Sequence, residues 1–396
     1  MGDIAKVKKY QNIWNLYFFS LYLQHETKKK GDKLMKKSTV ILSVLLLACF
    51  VNTSAQQRTP DFFDNIDGHI TNGYIILRAE DGTLTDEVQL VGLDRDMSPI
   101  DVYRGGEDVP DEVTHDGRTY KVVEFGPFSD LYFDWKVQRL KFGKNMRKVS
   151  IIFNMGTGFV LDDGFEVSEE NKHLKSIDGI LYTADGKTLL TCSHTFKRNS
   201  PSKDITIPDD VETIASRAFR NCSFVSLKQL PKSLKEIKHG AFECSNILPD
   251  ELMVSEGVRV IESAVFQATN VRKLTLPSTL ERFGFIGAMK SIDTIVCVAP
   301  TPPALIDENG YTWYLWWADV YPDVVLMVPP ESLELYRQHP DWGALFKNIR
   351  AYDPTGIVSL TEGNASDGKT YRLDGSPVQT LKPGIYIRDG RKVVVK

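Results

Sequence analysis

The chain has 396 residues, 42% of them hydrophobic and 25% charged, enough for two or three compact domains or for one elongated array with appendages. Its formal charge is −4 and no long Lys/Arg stripe runs through the body of the chain. That balance excludes broad nucleic-acid binding, which requires a basic footprint.

The first 55 residues read as targeting sequence rather than fold. Lys36 and Lys37 follow Met35, an apolar run extends from Val40 to Val51, and Thr53-Ser54-Ala55 supplies small residues before Gln56. A basic start, an apolar centre and a small-residue cleavage site in this order describe a signal peptide, 35–55. The run is too short for a comfortable membrane-spanning helix, so no transmembrane span is expected in the mature chain. Residues 1–34 are then expected to precede the native start, the alternative being an internal signal anchor. Leu46-Leu47-Ala48-Cys49 also resembles a lipoprotein box, with Cys49 as the lipid anchor point. Either route exports the protein, as a secreted or an outer-membrane or cell-surface species.

Residues 56–114 are expected to form an N-terminal β cap. Tyr74–Leu77 and Val88–Val91 read as strands, with Glu80-Asp81-Gly82 as a turn. From 115 to 298 a repeat governs the pattern. The clear units are IPDDVETIASRAFRNC from Ile207, LPKSLKEIKHGAFEC from Leu230, VSEGVRVIESAVF from Val254 and LPSTLERFGFIGAM from Leu276. Equivalent positions Val211, Leu234, Val258 and Leu280 are separated by 23, 24 and 22 residues, and Ile214, Ile237, Ile261 and Phe283 keep the same steps. Units this short cannot bury their own apolar faces, so they must stack. Within a unit, the apolar residue before Pro is extended and the Pro falls at a strand end. Val211 and Ile214 point inward, and Ala218-Phe219 are expected in a short helical turn. Two degenerate units precede these: Val123 and Phe128 keep the spacing of Ile214 and Phe219, and Phe142, Met146 and Val149 keep that of Ile207, Val211 and Ile214. An insert, 160–200, shows hairpin punctuation at Asp178-Gly179 and Asp185-Gly186.

Pro302-Pro303 ends the array, and 299–353 is expected to be its C-terminal cap. Val325–Val328 reads as a strand, Pro329-Pro330-Glu331-Ser332 opens a helix, and Asp341 is placed to cap a second one. Residues 354–370 read as a linker and 371–396 as a small β tail broken by Asp374-Gly375, Pro383-Gly384 and Asp389-Gly390.

Chemistry-bearing motifs are sparse, and no catalytic, cofactor-binding or metal site is expected. The histidines beyond the leader, His69, His115, His173, His194, His239 and His339, lie in no HExxH or Cys/His cluster. Asp162-Asp163, Asp209-Asp210 and Glu169-Glu170 are carboxylate pairs at turns rather than a facing catalytic pair. Cys222 and Cys244 occupy neighbouring units and could be bridged or remain buried thiols. The sharpest local feature is the aromatic cluster Trp313, Tyr314, Trp316 and Trp317, either a binding platform or a seal for the last repeat.

The phrases ITIPDDVETIASRAFRNC, LPKSLKEIKHGAFEC, SIDGILYTADGKTLL, DGRTYKVVEFGPF and VPPESLELYRQHPDWGALF resemble the BspA-like leucine-rich repeat family of secreted and surface bacterial proteins, over roughly 113–350. The chain departs from the LxxLxLxxN pattern, so a regular Asn ladder is not implied. The resemblance implies a leucine-rich-repeat-like right-handed solenoid of short strands with helical turns, β-rich caps and a small C-terminal β tail. It implies a non-enzymatic, adhesin-like role in binding host or bacterial surface proteins. The alternatives are a carbohydrate-binding surface protein using Trp313–Trp317 against glycans, and an enzyme with its site in the 160–200 insert.

Overall fold

The protein is described from a computed structural model, which covers residues 60–66, 69–93, 99–100, 102–103, 107–128, 130–131, 138–151, 161–284, 291–306, 323–352, 358–360, 370–372, 378, 382–388 and 391–395. The leader expected at 35–55 lies outside these residues.

Three parts follow one another along the chain. The first is a seven-stranded sheet whose main path runs Phe62–Ile66, His69–Arg78, Leu84–Leu93, Arg118–Phe128 and Lys148–Ile151. The apolar runs Tyr74–Leu77 and Val88–Val91 face each other in an antiparallel hairpin turned by residues 79–83. The sheet then changes sense: Leu84–Leu93 and Arg118–Phe128 pair in parallel, as do Arg118–Phe128 and Lys148–Ile151. Here the spacing misleads by two residues. Val123 was expected in the place of Ile214, but Phe125 is the residue paired with Val149. The strand is bulged here, Val88 pairing with Val122 and Gln89 with Glu124, so Tyr120, Val122 and Phe125 face the core and the simple spacing slips.

The second part is the solenoid. Its principal sheet has eight strands in chain order: Leu174–Ile177, Ile180–Thr183, Thr188–Thr191, Thr213–Ile214, Glu236–Ile237, Val260–Ile261, Arg282–Gly284 and Ala304–Ile306. The insert supplies the first three as antiparallel hairpins. Asp178-Gly179, both at positive φ, close the first hairpin, and the backbone there meets the preceding layer through Phe165 N–H to Gly179 O at 2.9 Å. A side chain at Gly179 would collide with the Asp163 carbonyl, 2.4 Å from its Cβ. From Thr188 onward every pairing is parallel and in register, so Leu189, Ile214, Ile237, Ile261, Phe283 and Leu305 form one inward row. A second parallel sheet runs Glu251–Met253, Lys273–Leu276, Thr294–Cys297, Val325–Val328 and Asn348–Ala351.

The Ala-Phe segment is not helical, contrary to the expected helical turn. Arg217 and Asn221 lie at positive φ, as do Gly240 and Cys244, and Ala264 and Ala268, in the next two units. A right-handed helix cannot hold a residue there. Instead the amides alternate. Those of Ala218, Arg220 and Cys222 close turns within the unit, while Arg217, Phe219 and Asn221 donate to His239, Ala241 and Glu243 of the next. Gly240, Phe242 and Cys244 repeat this towards Ser263, Val265 and Gln267. Successive layers are thereby joined on this side too, and the Phe rings stack inside it: Phe219 on Phe242 at 5.3 Å and 2°, Phe242 on Phe266 at 6.2 Å and 7°.

Two hydrophobic cores result, one from Phe62 to Leu181 and one from Ile180 to Ile349. The strand Ile180–Thr183 separates them: Leu181 points into the first, Ile180 and Tyr182 into the second. Each fully buried large apolar side chain contributes about 1.5–3 kcal/mol by area, an upper bound.

The repeat core is closed at its far end by two short helices, α1 (Leu333–Gln338) and α2 (Trp342–Leu345). Buried Trp342 stacks on Phe283 at 5.8 Å and donates from Nε1 to Pro303 O at 2.8 Å. The Tyr336 hydroxyl donates to Ala299 O at 3.0 Å. Asp341, expected to cap α2, makes no capping bond with its side chain. His339 Nδ1 takes that role, accepting from the Asp341 and Trp342 amides at 3.2 and 3.4 Å. The third part is a four-stranded sheet ordered Val358–Leu360, Arg391–Val395, Gly384–Arg388 and Thr370–Tyr371, with its own small core of Tyr386, Val393 and Val395. Its strand Val358–Leu360 comes from the stretch read as linker.

Candidate interaction surface

Stacking leaves two outward faces, and they differ in chemistry. Beside the eight-stranded sheet, the charged side chains pair between layers. Glu212 lies 3.4 Å from Lys187 and 2.5 Å from Lys235, Lys232 2.6 Å from Asp209, and Arg259 2.9 Å from Glu281. Lys235 holds the Glu212 carboxyl below its ordinary range, and Lys232 does the same for Asp209. These pairs are exposed and each contributes little to stability. Their effect is to cancel charge locally, so this face offers no field of one sign.

The outward side of the five-stranded sheet is different. Strand alternation buries Leu252, Leu274, Ile295, Leu326 and Ile349 and turns two rows outward. One row is Glu251, Lys273, Thr294, Val325 and Asn348; the other is Met253, Thr275, Val296, Met327 and Arg350. Met253 is 72% exposed, and Thr275, Thr294, Val325 and Met327 are half-buried, whereas Val296 is buried. Rows with an exposed Met, half-buried Thr, Val and Met, and one Glu251–Lys273 pair at 3.1 Å form a surface on which contacts form at low desolvation cost. The sequence reading missed it because Glu251–Met253 is only three residues long and carries one inward apolar side chain. The aromatic cluster singled out in the sequence, Trp313, Tyr314, Trp316 and Trp317, lies outside the described residues.

Several groups able to do chemistry have structural partners among the described residues. Asp162 sits 3.6 Å from Arg198 and accepts from Asn199 Nδ2, and Asp163 lies 3.6 Å from Arg139. Within the 160–200 insert, these two carboxylates are held by Arg198, Asn199 and Arg139. Arg220 and Glu243, both nearly buried, pair at 3.0 Å across one layer step. Buried Asn171 makes four bonds, donating to the Gly143 and Met146 carbonyls and accepting from the His173 and Leu174 amides. Cys192, Cys222, Cys244 and Cys297 are free thiols. The Cys222 sulfur turns back to Ser193 O at 3.4 Å rather than forward to Cys244. Burial, then the hydrogen bond with Cys222, pushes the Cys192 thiol far up, which makes it unreactive. Burial likewise pushes the pKa values of His194 and His239 down to about 4, with neighbouring arginines adding to it. Among the described residues no group of three or more His, Cys, Asp or Glu could hold a metal ion, and no helix is long and apolar enough to cross a membrane.

Six copies of the BspA type leucine rich repeat match residues 191–286, the stretch whose parallel rows and stacked Phe rings are described above. Residues 191–286 are a BspA-type leucine-rich repeat region. Solved structures similar to the chain include the pneumococcal vaccine antigen PcpA, at 12% identity over 75% of this chain and 100% of that one, with a TM-score of 0.34. A leucine-rich repeat protein from Eubacterium ventriosum is 14% identical over 76% of this chain and 86% of its own, with a TM-score of 0.34. A leucine rich cell surface protein from Faecalibacterium prausnitzii is 11% identical over 75% and 96%, with a TM-score of 0.26. No curated protein matches.

Proposed function

We propose that this BspA-type repeat protein is exported and non-enzymatic, and that it binds surface proteins of a host or of other bacteria through the outward rows of its five-stranded sheet. The observation that carries the reading is the contrast between the faces. One is paired charge by charge, while the other carries one such pair, Glu251–Lys273 at 3.1 Å, and otherwise presents Met253, Thr275, Thr294, Val325 and Met327 between it and Arg350. The mechanism is geometric: a rigid row adds many modest contacts, and because the scaffold is already ordered little entropy is lost on docking. Trp316 and Trp317 are proposed as further contacts with the partner.

The test is an array of matrix and surface proteins probed with the chain from Gln56 to Lys396. A partner found this way should bind at least tenfold more weakly to the Met253→Asp/Thr275→Lys variant, with an unchanged melting temperature. Undiminished binding would remove the sheet face from the reading, and undiminished binding by Trp316→Ala/Trp317→Ala would remove the aromatic cluster. Export is read separately from the mature N-terminus by mass spectrometry, as Gln56 for the secreted form or lipid-modified Cys49 for the anchored one.

A further inference from the structure

Two of the four described cysteines converge where the hairpin insert meets the first clear repeat. Cys192 directly follows the strand Thr188–Thr191, and Cys222 ends the turn that carries Phe219. Their backbones are tied to that same turn. The Cys192 amide donates to Ala218 O at 2.7 Å and the Cys222 amide to Phe219 O at 3.2 Å. Their sulfurs meet at one oxygen: Cys192 Sγ lies 3.6 Å and Cys222 Sγ 3.4 Å from Ser193 O, and the two thiols are hydrogen-bonded to each other. Both residues are buried.

The other two described cysteines do not share this arrangement. Cys244 is half-buried, and Cys297 Sγ lies 3.2 Å from the Tyr336 hydroxyl at the far end of the core. Thiols in hydrogen-bond contact, on backbones anchored to adjacent carbonyls, need only a side-chain rotation to reach the sulfur separation of a disulfide, about 2 Å. The junction is also where a bond would matter. Between insert and repeat, the eight-stranded sheet pairs only Thr188 with Thr213 and Leu189 with Ile214. A link between positions 30 residues apart removes loop freedom from the unfolded chain and fastens this short pairing. Once the core has closed, burial shields both sulfurs, so the oxidation belongs to the folding chain.

We infer that Cys192 and Cys222 form a disulfide as the chain folds in an oxidising compartment, fastening the hairpin insert to the first repeat. The oxidant is itself a disulfide, RS–SR, free or carried by an enzyme. One cysteine thiolate attacks it, the S–S bond of RS–SR breaks, and one RS⁻ leaves. The second cysteine thiolate then attacks the first cysteine's sulfur in the mixed disulfide and expels the other RS⁻. The two cysteine sulfurs lose two electrons, RS–SR gains them, and the two thiol protons end on the two RSH. The bond goes beyond the protein-binding reading and does not depend on it.

The experiment is refolding of the chain from Gln56 to Lys396 out of urea, in parallel with a glutathione–glutathione disulfide buffer and with dithiothreitol. The oxidised product should be lighter by two hydrogen atoms and should lose two of the four thiols titrated in urea. Peptide mapping should join Cys192 to Cys222. The oxidised product should melt at least about 3 °C above the reduced one. A Cys244→Ala/Cys297→Ala variant should keep the mass loss and the melting difference, and Cys192→Ala/Cys222→Ala should lose both. The folded reduced chain, given the same buffer without urea, should keep its thiols far longer than the refolding chain does. Four thiols after oxidative refolding, or a bridge to Cys244 or Cys297, overturns the assignment. Equal melting of the two products overturns the fastening, and oxidation of the folded chain as fast as of the refolding one overturns the order of events. Thiol counts and mapping use the native sequence, so they decide the matter even where Cys192→Ala/Cys222→Ala fails to fold. They also need no binding partner, so failure here leaves the protein-binding result standing, and the reverse also holds.

Discussion

At the scale of single residues, burial decides what a side chain does more than its identity. His194 and His239 have the ordinary imidazole, yet desolvation and the arginines beside them hold both neutral, with pKa values of about 4 against an ordinary 6.5. The unfolded chain therefore takes up protons below pH 6.5 that the folded chain refuses until about pH 4. Stability falls as pH drops through that window and is no longer affected by these two groups below it. The urea midpoint of the native chain should fall steadily between pH 6.5 and 4.5, a range in which most exposed carboxylates are still ionised. In a His194→Gln/His239→Gln variant the slope should be clearly shallower; an equal slope would place the sensitivity elsewhere. The inward Val, Ile and Phe of each unit could be named from spacing alone, since a side chain that recurs every 22 to 24 residues is answering the same neighbour each time.

At the scale of elements, the informative feature is the turn segment beside the stacked Phe rings. Its pattern Arg-Ala-Phe, Gly-Ala-Phe and Ala-Val-Phe resembles a helical turn on paper because small and apolar residues lie close together. The positive φ at its first and fifth positions is what the letters conceal, and only Gly240 hints at it. Ala264 occupies the position that Gly240 fills in the preceding unit, at φ 60° against 61°. A side chain there costs about 1 kcal/mol. Ala264→Gly should thus stabilise the protein by about 0.5–1 kcal/mol in urea unfolding, while Gly240→Ala should destabilise it by a similar amount. If Ala264→Gly instead weakens the fold, the segment does not adopt this turn. The same limit explains two smaller misreadings. Val123 keeps the offset to Phe128 and Phe125 keeps the step to Val149, and strand pairing decides for Phe125. Asp341 and His339 both can cap α2, and only the path of the chain into the helix selects the imidazole.

At the scale of the molecule, the order of caps, array and tail reflects how many apolar residues each part can hide. The repeat core runs without a break from Ile180 to Ile349 and is closed by Trp342, Tyr336 and Phe346. The terminal sheet keeps a separate cluster of Tyr386, Val393 and Val395. Ending the chain after Thr355 should therefore leave a monomeric solenoid with nearly the native melting temperature. Ending it after Thr301 removes the closing helices, uncovers Phe283 and Ile295, and should give aggregates by size-exclusion chromatography. Similar behaviour of the two truncations would show that the closing helices are not part of the core.

The register of the parallel rows has a genetic corollary. Since each layer donates amides to the one before along the eight-stranded sheet and to the one after beside the Phe rings, a duplicated block of about 23 residues would enter the stack without disturbing its neighbours. A gene built this way can extend its reach by unequal recombination in whole layers, while a single inserted codon near Phe242 would throw every later row out of step.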